Sequence, residues 1–356
     1  MSEQPARTAI PQITASGEPE RSAVAGGFWH GRPVLVTGAA GFTGRHLVGE
    51  LLDAGAQVFA ALRPGGSDAE FDPRVSRRRG DLRSADDCQR LVQGIDTVFH
   101  VAAVFRTVGV TRESLFESHV TATQHLIQAA AEAGARRFVH TSTIGVQGPN
   151  PPEQALESDP AAPDDDYQVT KYEGELAVAA CADSVGLPFS IVRPCAIYGA
   201  GDDRFLKIIR PIARGQFTMI GRGAGKFHLV HVRDLAAGLM LAGEKDAAVS
   251  EVFTIGGERA PTLAAFVDLI ARHTGGGMLP LRVPYRLVYW AGYLCEKLCG
   301  LIGVEPPLHR RRVKFFASDR SFDLSKAASR LGYQPSVTLD DGVGALVRWH
   351  RERGDI

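Results

Sequence analysis

The feature that most limits how this chain can fold is the run Pro33-Val34-Leu35-Val36-Thr37, followed at once by Gly38-Ala39-Ala40-Gly41-Phe42-Thr43-Gly44. A short apolar run that ends in a glycine turn reads as a buried strand feeding a helix. Across residues 41–52, Phe42, Leu47, Val48, Leu51 and Leu52 recur at helical spacing, and Gly55 supplies a C-cap. Residues 58–62, 97–101 and 137–141 read as further strands. Residues 112–133 read as one long helix closed by Gly134. Strand–helix alternation of this kind implies an α/β chain with a doubly wound parallel sheet and helices on both faces.

After residue 194 the alternation becomes irregular, with helices expected at 205–214, 263–273 and 339–351. We expect three parts. Residues 1–27, rich in Pro, Ser, Gly, Glu and Ala, form a disordered tail. Residues 28–194 form a dinucleotide-binding domain of Rossmann type, to which 226–257 return. Residues 195–225 and 258–356 form a smaller, mostly helical substrate-binding lobe. Lys+Arg and Asp+Glu both number 40, so no net field favours nucleic acid or another polyanion. The five cysteines are scattered and no Cys-x-x-Cys occurs, which argues against a disulfide framework and a structural zinc. With no signal-peptide pattern and no apolar run of spanning length, the expected location is cytoplasmic.

The turn carries the first chemistry. Gly38, Gly41 and Gly44 remove side chains where a diphosphate must approach, with Ala40, Phe42 and Thr43 completing the cradle. The helix that follows offers free N–H groups and a partial positive charge. Gly-x-x-Gly-x-x-Gly departs from the commoner Gly-x-Gly-x-x-Gly, and its weight comes from the strand–turn–helix context. NAD sites place an acidic residue at the end of the second strand, to bind the ribose hydroxyls. Here Leu62 stands there and Arg63 follows, which favours the 2′-phosphate of NADP and leaves NAD as the alternative. Asp81 and Leu82 lie where an adenine can be held, although a simple turn explains them nearly as well.

The second chemistry is Tyr167-Gln168-Val169-Thr170-Lys171, which puts a phenol and an amine on one helix face. Lys171 is the first lysine in the chain. A phenol titrates near pH 10, too high for easy proton transfer at neutrality, and a nearby ammonium lowers it. Asp164, Asp165 and Asp166 suit the helix start. The chain holds its own control: Tyr293 and Lys297 share the spacing but have no upstream hydroxyl cluster, so that pair reads as structural. The strand before Tyr167 ends in Thr141-Ser142-Thr143, where Thr143, or failing it Ser142, can donate to a substrate oxygen.

With TGAAGFTG, TST and YQVTK in this order, the chain resembles the extended short-chain dehydrogenase/reductase family from about residue 32 onward. The resemblance implies a Tyr167 acid/base, a Lys171 that holds the cofactor ribose, a Ser or Thr that orients substrate, and a homodimer. Val98-Phe99-His100-Val101-Ala102-Ala103 resembles the segment lining the nicotinamide, and Arg193-Pro194 the strand end after the catalytic helix. Val230-His231-Val232-Arg233-Asp234-Leu235 resembles the later strand that returns to the first domain. His119 stands where the family usually has Asn; it either replaces that polar role or is a core-edge histidine, and we favour the latter. Phe227 stands where nucleotide-sugar epimerases carry Arg. Ile144 and Gly145 replace the Asp-Glu of sugar dehydratases. The C-terminal stretches Glu305-Pro306-Pro307-Leu308 and Phe322-Asp323-Leu324-Ser325-Lys326-Ala327 resemble instead the 3β-hydroxysteroid and sterol-carboxylate dehydrogenases, with dihydroflavonol reductases as neighbours. Leu331-Gly332-Tyr333-Gln334-Pro335 is shared more widely.

Residues 283–304 are apolar and aromatic, broken by Arg286, Glu296 and Lys297. They pack in the second lobe, cover an apolar substrate, or touch a bilayer surface; core packing is the favoured reading. His309-Arg310-Arg311-Arg312 reads as a solvated face. His228 and His231 lack a third ligand, so no metal is expected. Cys195 is either a buried thiol or part of the substrate pocket. The favoured function is interconversion of a secondary alcohol and a ketone on a bulky apolar, sterol-like or flavonoid-like small molecule. A nucleotide-sugar epimerase and a non-catalytic cofactor sensor are the alternatives.

Overall fold

The computed structural model describes residues 27–66, 71–105, 109–148, 154–301 and 319–356. The expected disordered tail, Glu305–Leu308 and the His309–Arg312 cluster lie outside them. The chain forms β1 (Pro33–Thr37), α1 (Phe42–Asp53), β2 (Gln57–Leu62), β3 (Ser76–Arg79), α2 (Ala85–Leu91) and β4 (Thr97–His100). Then come α3 (Arg112–Phe116), α4 (Ala122–Glu132), β5 (Arg137–Thr141), α5 (Asp166–Val185) and β6 (Phe189–Pro194). Next are β7 (Ala196–Tyr198), α6 (Leu206–Ala213), β8 (Phe217–Ile220), β9 (Leu229–His231), α7 (Val232–Glu244) and β10 (Glu251–Ile255). The last are α8 (Leu263–Thr274), β11 (Met278–Val283), α9 (Tyr285–Leu301), α10 (Ser325–Leu331) and α11 (Leu339–Glu352).

Seven strands form one parallel sheet in the order β10-β6-β5-β4-β1-β2-β3. The order reverses between β1 and β4, and ligands of such sheets sit at that switch point, beyond the carboxyl ends of the strands. β1 is buried along four of its five residues, because both sheet faces are covered. Val34 and Val36 pack on the side of α1 and α7, with Leu47, Leu51 and Leu239. Leu35 points the other way, into a core with Leu126, Ile127 and Val178 of α4 and α5. A third core, built from Phe205, Ile209, Phe266 and Leu346, holds the C-terminal elements together.

The sequence does not reveal β3, whose Ser-Arg-Arg-Arg has no apolar alternation. It is an edge strand, where charge is tolerated and discourages unwanted pairing. The long helix expected over 112–133 is interrupted by a π turn at Glu117–Thr121. Residues 230–235 are also not a single strand returning to the main sheet. Leu229–His231 pairs with β7 in a separate two-stranded sheet, and the chain turns into α7 at Val232. The strand that joins the seven-stranded sheet is β10, beside β6. The turn into α7 has a cause: Asp234 accepts hydrogen bonds from Ser336 N, Ser336 Oγ and Val337 N, so its first turn faces inward rather than along a strand. These bonds also explain the Leu331–Pro335 motif, since Tyr333 donates its hydroxyl to Gly256 O at 2.8 Å beside them.

Candidate active site

The glycine turn lies at the switch point. Gly38 has φ +68°, and a Cβ there would sit 2.8 Å from the Ala102 backbone, so only glycine allows β1 and β4 to end this close. At Gly44 a Cβ would come within 2.2 Å of Gly38 O. Ala40 and Gly41 are exposed, and no side chain caps the start of α1, so its first N–H groups remain open to an anion. These features fit a dinucleotide diphosphate. Phe42 packs under the Arg204 guanidinium, 5.6 Å from ring centre, and Thr43 is half-buried beside it.

At the far end of the turn, Arg63 is exposed just after β2, where its charge also acts on Asp81 after β3. Asp81 holds Arg83, hydrogen-bonding through both carboxylate oxygens, and that contact pulls its pKa below the usual carboxylate range. Asp81 is therefore less available to an adenine than its position alone implies. Leu82 is half-buried and accepts from the Cys88 thiol.

β4 ends in His100, and Val101, Ala102 and Ala103 continue past the sheet edge, the first two half-buried and the third exposed. A directed chain of hydrogen bonds fixes this edge. Ala102 N–H donates to Thr37 Oγ1 (3.1 Å), and Thr123 donates to His119 O (2.8 Å). With that proton committed, His100 Nε2–H donates to Thr123 Oγ1 (3.0 Å), and Nδ1 accepts from the Thr37 hydroxyl (2.8 Å).

Lys171 is fully buried, and its Nζ donates to Thr141 O, the last carbonyl of β5, at 2.6 Å. Burial pulls its pKa down to about 8, partly opposed by the Glu175 carboxylate one turn along α5. Glu175 is itself buried and clamps Arg193 in a two-pronged pair, Nε–Oε1 2.9 Å and Nη2–Oε2 2.6 Å. Three buried imidazoles lie around the amine: His100, His119 and His140. Burial, and then the charge of Lys171, hold His100 and His119 near pKa 3 and His140 well below its normal value. All three are neutral, so Lys171 is the charge of this pocket.

Tyr167 is half-buried near the start of α5, which Asp165 caps by accepting from Gln168 N at 3.0 Å. The Tyr167 ring meets His119 and Phe105 edge-on, each at 5.4 Å between centroids. His119, favoured above as a core-edge residue, is buried against this ring. It sits on the π turn, its Nε2–H donates to Val104 O (3.1 Å), and its Nδ1 lies 2.9 Å from the Thr170 hydroxyl of α5. π turns often mark functional positions. Past Thr141, Ser142 is buried, and its hydroxyl has no partner among the described residues. Thr143 is half-buried and accepts from Gly145 N–H at 3.1 Å, which leaves its own proton to donate. Gln168, next to Tyr167, packs on the turn that Thr143 opens: a Cβ on Gly145 would lie 3.1 Å from Gln168 Cγ. Pro194 ends β6, buried, paired with Ile255. Glu175 was not singled out from the sequence, and Thr37, His100 and His119 entered only within longer motifs or as a stand-in for Asn, without a hydrogen-bonding role of their own. The nearest signal for the histidines is that β4 and β5 both carry a histidine near the end, in register as His100 and His140.

Sheet, glycine turn and Tyr–Lys helix together define a nicotinamide-dependent oxidoreductase of the Rossmann type. The chain belongs to the NAD dependent epimerase/dehydratase family, whose model matches residues 34–256, and within it to the branch that holds the 3β-hydroxysteroid dehydrogenases. Sterol demethylase protein B of Methylococcus capsulatus is 33% identical over 341 residues, covering 90% of this chain and 99% of that protein. The 3 beta-hydroxysteroid dehydrogenase/Delta 5-->4-isomerase of Mycobacterium tuberculosis is 30% identical over 330 residues, covering 87% and 88%. Among solved structures, the dTDP-glucose 4,6-dehydratase DesIV of Streptomyces venezuelae, with NAD and TYD bound, superposes with a TM-score of 0.71 at 27% identity, covering 90% of this chain and 98% of that one.

Proposed function

We propose that the protein interconverts a secondary alcohol and a ketone on a bulky apolar, sterol-like substrate, using NADP or NAD. The observation that carries this reading is the buried Lys171 ammonium at the end of β5, one helical turn from the Tyr167 phenol. The nicotinamide, when bound, accepts or supplies the hydride. In the oxidative direction the Tyr167 oxygen takes the substrate hydroxyl proton, and in reduction it returns one. Lys171 favours the phenolate by its charge and holds the ribose. Thr143 donates to the substrate oxygen, with Ser142 behind it. Gly38, Gly41 and Gly44, with Ala40, Phe42 and Thr43, bind the diphosphate; Val101, Ala102, Ala103 and Pro194 line the nicotinamide; Asp81 and Leu82 flank the adenine. Residues 195–225 and 258–356 form the substrate lobe. The names of the two relatives and the loss of the sugar-site residues at Ile144, Gly145 and Phe227 favour a sterol over a nucleotide sugar. We also propose a homodimer, with Phe116 and Leu176 exposed on the packed helices α3 and α5 as its contact.

The test is to offer purified protein a 3β-hydroxysterol with NADP or NAD, and separately a UDP-hexose without added cofactor. Reduced nicotinamide is expected to accumulate with the sterol. Hexose interconversion in the second reaction, with none in the first, overturns the reading. For cofactor choice, Arg63→Ala is expected to weaken NADPH binding about tenfold and NADH little, as loss of a charge-assisted phosphate contact predicts. Equal affinities for NADPH before and after the change refute the 2′-phosphate assignment.

A further inference from the structure

Beyond β4 the chain passes through Val101, Ala102 and Ala103 and reaches Phe105, which is 50% exposed. On the neighbouring segments of the site, Leu115, Val120 and Ile144 are buried. A single exposed phenylalanine is ordinary on a protein surface. Its contacts set this one apart. The Phe105 ring meets the Tyr167 ring edge-on, with centroids 5.4 Å apart and planes at 69°. The residue before it, Val104, is pinned through its carbonyl by His119 Nε2–H at 3.1 Å. The His119 ring in turn meets Tyr167 at 5.4 Å and 86°. Tyr167, His119, Val104 and Phe105 therefore close a circuit that joins α5, the π turn and the segment after β4. The Thr170 hydroxyl, 2.9 Å from His119 Nδ1, ties the circuit to the helix of Tyr167 and Lys171.

This frame says what suits the open side of Phe105. His119 is held neutral by burial and then by the charge of Lys171, and the Val104 carbonyl is already engaged. The frame itself thus offers an aromatic surface with no charge of its own. Hydrocarbon gains by covering such a surface, whereas sugar hydroxyls laid on it lose water without repayment. Because the ring is fixed beforehand, little ordering cost falls on the bound molecule.

We propose that Phe105 is the apolar wall of the substrate site, on which the hydrocarbon skeleton beside the reacting carbon lies, and that His119 is the positioning residue that holds it there. This rests on the alcohol–ketone reading and adds the residue that selects hydrocarbon. The test uses the full chain and cholesterol delivered from cyclodextrin. Binding of radiolabelled cholesterol is measured with NADPH present, and turnover with NADP or NAD. Phe105→Ala is expected to weaken binding and raise KM about tenfold, the loss of roughly half a phenylalanine's burial. kcat is expected to fall less, since His119 still meets the Tyr167 ring. Phe105→Tyr keeps the ring and is expected to stay within about twofold in both measures. NADPH affinity is expected to be unchanged throughout, as the sign of a folded protein. His119→Leu is expected to weaken cholesterol binding too, and to add no more than about twofold to Phe105→Ala, because it acts through the same ring. The wall is overturned if Phe105→Ala binds cholesterol as well as the wild type, if only kcat falls, or if NADPH affinity falls with it. Fully additive losses overturn the positioning role of His119. A wild type that binds cholesterol, loses it in Phe105→Ala and never oxidises it keeps the wall and refutes the alcohol–ketone reading. A wild type that neither binds nor oxidises cholesterol overturns both.

Discussion

Tyr167→Phe is expected to lower turnover by roughly 10²–10⁴-fold, the range a positioned proton donor contributes, and to leave NADPH affinity within about twofold. The two effects separate because the ring and the hydroxyl do different work. The ring is placed by edge contacts with His119 and Phe105, which phenylalanine keeps. The diphosphate cradle belongs to a different part of the fold, at Gly38 and the start of α1. Only the proton carrier is lost. Single-turnover measurement with reduced cofactor, beside a fluorescence titration of NADPH, gives both numbers. Turnover that stays within a few fold removes Tyr167 from the chemistry.

Glu175→Gln is expected to destabilise the protein by about 3–5 kcal/mol, the usual cost of stranding one partner of a buried ion pair. Arg193 would then keep its charge in a buried site with one carboxylate fewer, its remaining contact being Glu157 O at 3.3 Å. Urea unfolding measures the loss. Replacing both residues by apolar ones, Glu175→Leu with Arg193→Met, is expected to recover most of it, since no charge is then stranded. A functional effect accompanies the single change. Glu175 is the group that holds the Lys171 pKa up against burial. Without it, Lys171 loses its proton at a pH below about 8. The charged amine is the form that supports the phenolate, so activity falls as pH rises through this value, and in the variant the fall begins at lower pH. An alkaline limb that does not move would mean that Lys171 does not titrate there.

Much of the nucleotide-binding half was legible, because its signals are local. The strand–turn–helix at 33–53 differs from the structure by a residue at each helix end. The start of the Tyr167 helix was equally local: Asp165, one of the three aspartates expected there, caps it. Where the reading went astray, the cause was tertiary. Residues 230–235 resemble a single returning strand, but Asp234 reaches the amides at 336 and 337, and the strand ends at His231 where α7 begins. Residues 283–304 look like core by composition, but in the described part of this stretch Leu287, Trp290, Leu294 and Leu298 of α9 are more than half exposed, and a composition does not say which face a partner element covers.

The order of the residues alone determined the glycine turn and the placing of a phenol and an amine one turn apart, because these depend on backbone geometry over a few neighbouring positions. Only the tertiary structure decided that Lys171 is the single charge among three neutral imidazoles, that Glu175 is shared between it and Arg193, and that Leu287, Trp290, Leu294 and Leu298 of α9 are exposed among the described residues. Burial and pairing arise between groups tens of residues apart, and a dry surrounding, not the identity of a side chain, sets whether it carries charge.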